Sequence, residues 1–129
     1  MFSKQELAFL QTQRIARIAT VAPDRQPTVD AVGFSFDGTH FYVGGHNITT
    51  TRKYKNVMAG NTKVSLVIDE LKSVQPWQAL GILVHSEAEA VESQAHFGPG
   101  LYLVITPKVT WSWGIEDQQG KASPKKPIW

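Results

Sequence analysis

The eleven residues His46-Asn-Ile-Thr-Thr-Thr-Arg-Lys-Tyr-Lys-Asn56 gather hydroxyls and cations where a helix is about to begin. A helix start leaves backbone N–H groups unpaired and carries partial positive charge, so Thr49, Thr50 and Thr51 with Arg52 and Lys53 have the makeup of a phosphate site. Arg52 offers a planar fork for two phosphate oxygens and Lys53 a point charge. The same residues also fit a threonine-capped surface helix with solvated cations, and spacing alone does not separate the two. His46 can donate to a phosphate or a ring oxygen, or can serve a loop hydrogen bond. Asp30 interrupts an apolar strand, either as an interior carboxylate with chemistry to do or as one hydrogen-bonded to main chain. No dedicated acid or base stands out. His40, His85 and His96 lack metal-ligand spacing, and no metal site is expected.

These side chains need a scaffold, and its elements are legible in the periodicity. Ser3 and Glu6 form a capping-box pattern ahead of a short helix from about Lys4 to Gln13, with Leu7, Phe9, Leu10 and Ile15 as its apolar stripe. The period then falls to two. Arg17–Val21 reads as a strand, residues 22–27 as a turn and Thr28–Phe36 as a second strand with Val32, Phe34 and Phe36 on one face. Asp37-Gly38 is a hairpin signal leading into His40–Gly44. The basic segment opens a helix running through Tyr54, Val57 and Met58 to Gly60-Asn61. Strands follow at Lys63–Ile68, at Leu80–Val91 (long, with room for a bend), at Leu101–Ile105 and at Val109–Ile115, the last two separated from their predecessor by Phe97-Gly-Pro-Gly100. Trp111 and Trp113 would share a face with Val109 and Ile115. So much aromatic area on a small barrel points to a homodimer, the alternative being ordinary core.

The fold class is therefore mainly β with short helices (α+β): an antiparallel barrel of six or seven strands, one domain over 1–115 with a tail over 116–129. A chain of 129 residues with 42% hydrophobic content can bury one core. Zero cysteines exclude disulfides and thiolate chemistry. The net charge of +2 is small, and Lys121, Lys125 and Lys126 sit in the tail, so nucleic acid is not an expected partner. No apolar run reaches membrane length and the N-terminus lacks a signal-peptide pattern; the expected location is cytoplasmic, without membrane contact.

Several segments together carry a resemblance: Arg17-Ile-Ala-Thr-Val-Ala-Pro-Asp-Arg-Gln-Pro-Thr-Val-Asp-Ala-Val-Gly-Phe34, Asp37-Gly-Thr-His-Phe-Tyr-Val43, Thr51-Arg-Lys-Tyr-Lys-Asn-Val57, Lys63-Val-Ser-Leu-Val-Ile-Asp69 and Ile105-Thr-Pro-Lys-Val-Thr-Trp-Ser-Trp-Gly-Ile115. In this order they resemble the pyridoxamine 5′-phosphate oxidase-like split-barrel family, and within it the short coenzyme F420-dependent and FMN-binding members. The resemblance implies a homodimer holding a flavin-type cofactor, F420 or alternatively FMN, between subunits. It implies that Thr50, Thr51, Arg52 and Lys53, with Lys55 and Asn56 beside them, hold the cofactor phosphate. Asp30, Ala31, Val32 and Gly33, with Gly44, Gly45 and His46, would line the tricyclic ring, glycine letting a flat ring approach the main chain. Trp111 and Trp113 would come from the partner subunit.

The expected function is hydride transfer between F420 or FMN and an unsaturated small organic substrate. The alternative is a non-catalytic carrier of a flavin- or heme-type cofactor. No Arg-x-His element of the full-length oxidases follows the Trp-Ser-Trp strand, which argues against pyridoxamine phosphate oxidase activity itself. Lys4, Arg14, Arg17 and Arg25 could attract the acidic F420 tail, or be scattered surface cations. A barrel binding single-stranded nucleic acid is a third reading, disfavoured because the cations cluster at one helix.

Overall fold

The structure is a computed structural model that describes residues 1–45, 47–95 and 97–116. His46, His96 and the expected tail beyond Glu116 lie outside the described residues.

The chain opens with helix α1 (Lys4–Thr12), started by the capping box seen in the sequence: Ser3 Oγ accepts from Glu6 N at 3.1 Å and Glu6 Oε1 accepts from Ser3 N at 2.9 Å. Seven strands follow: β1 (Ile15–Val21), β2 (Pro27–Gly33), β3 (Ser35–Phe36), β4 (Phe41–Val43), β5 (Lys63–Val74), β6 (Trp77–Ala95) and β7 (Gly98–Trp113). Helix α2 (Arg52–Met58) lies between β4 and β5, preceded by a 3-10 turn at Ile48–Thr50. All pairings are antiparallel, in the order β2-β1-β5-β6-β7-β4-β3. The two ends of that order are β2 and β3, which are consecutive in the chain and separated by Phe34 alone. The single run Pro27–Phe36 thus pairs with β1 through its first half and with β4 through its second, closing the sheet into a barrel.

Alternation decides what lies inside. Ala16, Ile18 and Thr20 of β1, Val64, Leu66 and Ile68 of β5, Ile82 and Val84 of β6, and Leu103 and Ile105 of β7 are all buried and fill the barrel. One mouth is plugged by α1 with an aromatic cluster: Phe2 meets Phe36 edge-on at 5.3 Å, Phe36 stacks on Phe41 at 4.3 Å, and Phe34 lies 5.8 Å from Phe41. The other mouth is plugged by α2, which packs against β1 and β6. Its buried Asn56 donates to Thr20 Oγ1 at 2.9 Å, and Thr20 and Thr28 share a hydroxyl contact at 2.9 Å.

Several expectations are revised. Ile15 does not complete the α1 stripe; it begins β1 and is exposed on the outer face. The expected second strand is interrupted at Phe34, whose N–H turns back to Arg14 O at 3.3 Å. The two expected strands 101–105 and 109–115 form one strand that runs through Pro107. Proline is tolerated there because Pro107 faces Ser86 at the β6 irregularity between His85 and Ser86, where the ladder register already shifts. Ile115 leaves the face of Trp111 and Trp113: the chain bends at Gly114 (φ 74°) and tucks Ile115 into the core.

Candidate functional site

The threonines before α2 are local fasteners first. Thr51 caps the helix by accepting from Tyr54 N at 3.4 Å while its hydroxyl donates to Ile48 O at 2.6 Å, and the Thr50 hydroxyl donates to Asn47 O at 2.8 Å. Both hydroxyl protons are therefore committed to the turn, leaving lone pairs that no anion can use. The cations divide differently. The side chains of Arg52 and Lys55 are exposed and make no ion pair or hydrogen bond among the described residues. Lys53 reaches back to β2 and donates to Asp30 Oδ2 at 3.0 Å, its side chain only 11% exposed against 45% for Asp30.

This ion pair assigns Asp30 its place. The aspartate, which stands across from Ile18 on β1, is the counter-ion that tethers α2 to the barrel wall. Asn56, expected beside the phosphate, is fully buried with its amide turned to Thr20 and Thr28, so its side chain cannot reach a surface ligand. It serves the packing of α2 instead.

Beyond Asp30, β2 offers a bare edge. Ala31 and Gly33 are exposed, Val32 points into the core, and Gly33 lies three residues from Asp30, about 10 Å along an extended strand. A β-carbon added at Gly33 would be no nearer than 3.5 Å to Phe97, leaving open backbone there. Gly44 is different. A β-carbon at Gly44 would come within 2.6 Å of the Tyr102 ring, so the space its missing side chain leaves is filled by Tyr102, whose hydroxyl donates to Gly98 O at 2.6 Å. At Gly44 the absent side chain thus makes room for Tyr102. Gly45 has nothing within 4 Å and needs glycine for its φ of 131°.

Trp111 and Trp113 stand on β7, which three strands separate from β2 in the sheet order. The register sets Ala31, Arg17, Val67, Leu83 and Trp111 in one row across five strands, so Trp111 stands four strand spacings, about 19 Å measured along the curved wall, from Ala31. A neighbouring row runs Val29, Ala19, Ser65, His85, Val109. Together these rows make an outer face with exposed apolar side chains, Val29 at 71% and Val109 at 48%, in which His85 meets Trp111 edge-on at 4.7 Å. Arg17 and Asp69 pair at 2.6 Å on the same face.

One part of the surface had no individual signal in the sequence. A cleft of about 560 Å³ opens between the end of α1 and the β2–β3 junction, with Leu10, Arg14, Gly33, Phe34 and Phe97 in its lining. Phe97 came into the sequence reading only as the start of a strand break; its reach across to Gly33 depends on the β6–β7 hairpin folding over the seam. Near the cleft, Asp37 accepts from Thr39 N, His40 N and the Tyr42 hydroxyl at 2.7–2.8 Å. Burial works to raise the Asp37 pKa, but these hydrogen bonds outweigh it and hold the carboxyl below the usual range; the same bond to Asp37 raises that of Tyr42. Among the described residues, no three His, Asp or Glu side chains come together and no helix is long and apolar enough to cross a membrane.

A seven-stranded antiparallel barrel closed by one shared strand, with cations at one mouth and a bare strand edge beside them, is a split barrel. The comparisons make the class specific: residues 2–126 match the family model for pyridoxamine 5′-phosphate oxidase, and the chain belongs to that family. It is 29% identical over 123 residues to a 5a,11a-dehydrotetracycline/5a,11a-dehydrooxytetracycline reductase of Streptomyces rimosus, covering 89% of this chain and 84% of the relative. Among solved structures, an F420 reductase superposes with a TM-score of 0.64 at 22% identity, covering 80% of this chain and 93% of its own. An FAD-binding protein of Mesorhizobium loti superposes with a TM-score of 0.66 at 20% identity, covering 86% and 93%.

Proposed function

We propose that this chain is an oxidoreductase that binds F420, or FMN as the alternative, along β2 and transfers hydride to or from an unsaturated small organic molecule in the cytoplasm. The observation that carries the reading is the pairing of a cationic α2 start, where the Arg52 side chain has no partner among the described residues and Lys53 is held against β2, with the side-chain-poor edge Ala31–Gly33 about 10 Å further along. The residues fit such a cofactor. Arg52 and Lys53 would hold its phosphate, with Lys55 nearby, and the main chain of β2 would face its ring. When bound, the cofactor supplies the hydride. The protein's own part is to fix the phosphate, keep the ring against backbone and exclude water. The family match and a relative named as a 5a,11a-dehydrotetracycline/5a,11a-dehydrooxytetracycline reductase support the same direction.

The proposal includes a homodimer. The outer rows through Val29, Val67, Leu83, Val109 and Trp111 leave apolar side chains in water in a single chain, and a second copy laid on this face would cover them. It would also bring the partner's Trp111 and Trp113 toward β2, completing a site that one chain leaves open.

Parallel fluorescence titrations of the purified protein with F420 and FMN, followed by acceptor reduction with enones and quinones, test the reading. Micromolar or tighter binding with turnover supports the oxidoreductase. Tight binding without reduction of any acceptor turns the protein into a cofactor carrier, and binding of neither cofactor refutes the site.

A further inference from the structure

The cleft at the α1 mouth meets β2 at Gly33, three residues beyond the Asp30 that pairs with Lys53, and its chemistry differs from that of the α2 start. Its lining is mixed: Leu7, Leu10, Phe34 and Phe36, with Phe97 on one side, supply an apolar part, and polar side chains supply the rest. Its volume of about 560 Å³ falls within the range of sites that enclose small organic ligands. Its polar groups are unequal in what they have left to offer. Asp37 is largely engaged by its own turn, taking three hydrogen bonds, two at Oδ1 and one at Oδ2. The Gln13 amide is spent on Glu70 Oε1 at 2.8 Å and on Thr12 Oγ1 at 3.1 Å. Arg14 is the cation among them: its backbone oxygen accepts from Phe34 N, its guanidinium has no partner among the described residues, and it lines the cleft with Gln11 and Ser35, whose side chains are likewise unengaged among the described residues.

From this arrangement we infer that the cleft between α1 and the β2–β3 junction binds a planar, conjugated molecule carrying an ionised oxygen, with Arg14 taking the oxygen and Phe97 lying along the apolar body. A flat apolar body suits walls of leucine and phenylalanine, and a guanidinium fork recognises a carboxylate or enolate oxygen with charge-assisted hydrogen bonds. Asp37, held ionised at the rim, repels a second negative charge and so favours one end of the ligand at Arg14. Gly33 lines this cleft and also belongs to the β2 edge assigned to the cofactor ring. That the cleft is the acceptor side of the reaction rests on the proposed function; the class of ligand it takes does not.

The test is calorimetric binding of 2-naphthoate and of its neutral counterpart 2-naphthamide to the full chain without added cofactor, in wild type, Arg14→Ala, Arg14→Lys and Phe97→Ala. The wild type is expected to prefer naphthoate by about fivefold to tenfold, in line with one charged hydrogen bond. Arg14→Ala should abolish that preference while leaving naphthamide binding intact, Arg14→Lys should restore part of it, and Phe97→Ala should weaken both ligands together. Absence of binding by either probe, or a preference that survives in Arg14→Ala, overturns the assignment. A titration of FMN and F420 into Arg14→Ala separates the two proposals: unchanged cofactor affinity keeps the cleft distinct, whereas a loss of cofactor affinity equal to the loss of naphthoate binding makes it part of the cofactor site and overturns the inference. Naphthoate binding in a protein that takes neither cofactor refutes the cofactor reading and leaves the cleft standing.

Discussion

Replacing Asp30 by asparagine should strengthen the binding of a phosphate-bearing cofactor, and this sign is a stringent test of how the α2 mouth works. In the free protein Lys53 Nζ is held 3.0 Å from Asp30 Oδ2. A phosphate within hydrogen-bond reach of the same ammonium would stand on the order of 5–6 Å from the carboxylate. At that distance two like charges repel by about 0.7 kcal/mol in water-like surroundings, and by more where solvent is excluded. Asp30 is 45% exposed, so the water-like end applies. Asparagine removes that repulsion and also releases Lys53 from a pair that, half-exposed, is worth about 0.2–1 kcal/mol. The two contributions act in one direction and sum to about 1 kcal/mol, or roughly fivefold tighter binding. Lys53→Ala must act oppositely, by about fivefold to thirtyfold, through loss of a charged phosphate contact. Fluorescence titrations of both variants with F420 and FMN at low salt read the pair of effects, and both should shrink as salt is raised. If Asp30→Asn weakens binding as much as Lys53→Ala does, the ion pair builds the site rather than competing with the phosphate, and the reasoning fails.

Arg52→Ala should weaken cofactor binding by about tenfold with little change in the melting temperature, because its exposed guanidinium makes no ion pair or hydrogen bond among the described residues; an unaltered affinity in titration would remove Arg52 from the site. Gly44→Ala should destabilise the fold by at least about 1 kcal/mol, read in a urea melt, since its β-carbon meets the Tyr102 ring at 2.6 Å, and Tyr102→Ala should relieve most of that penalty. Asp37 has a folded-state pKa below the usual 3.8, so its stabilising contribution is present above that value and is lost as pH falls through the lower folded one; urea melts across the acid range should show Asp37→Asn with a flatter pH dependence than wild type. Trp111→Glu, placed in the apolar outer rows, should yield a monomer in sedimentation where the wild type gives a dimer, and a wild-type monomer would remove the dimer from the proposal.

Much of the barrel was legible because period-two alternation and turn chemistry are local. Asp37-Gly38 marked the β3–β4 hairpin, Ser3 and Glu6 the start of α1, and Gly60 the end of α2. What was not legible depends on partners distant in sequence. Pro107 reads as a strand breaker until Ser86 and its irregular register stand opposite it. Lys53 reads as a free cation until β2 brings Asp30 alongside, and Asn56 reads as a surface polar until Thr20 and Thr28 enclose it. Gly44 reads as an opening for a ligand until Tyr102, 58 positions later, fills it. The cationic cluster was visible as composition; which of its members are already engaged was not.

The strand shared between β1 and β4 has a consequence for how the molecule opens. Because Pro27–Phe36 stitches both margins of the sheet, neither margin can peel away alone, and amide protons of β1 and β4 should exchange with solvent in one cooperative event. Any ligand lying along that stitch is bound to a structural fastening, so it would slow exchange on both sides of the barrel at once, including at residues it never touches.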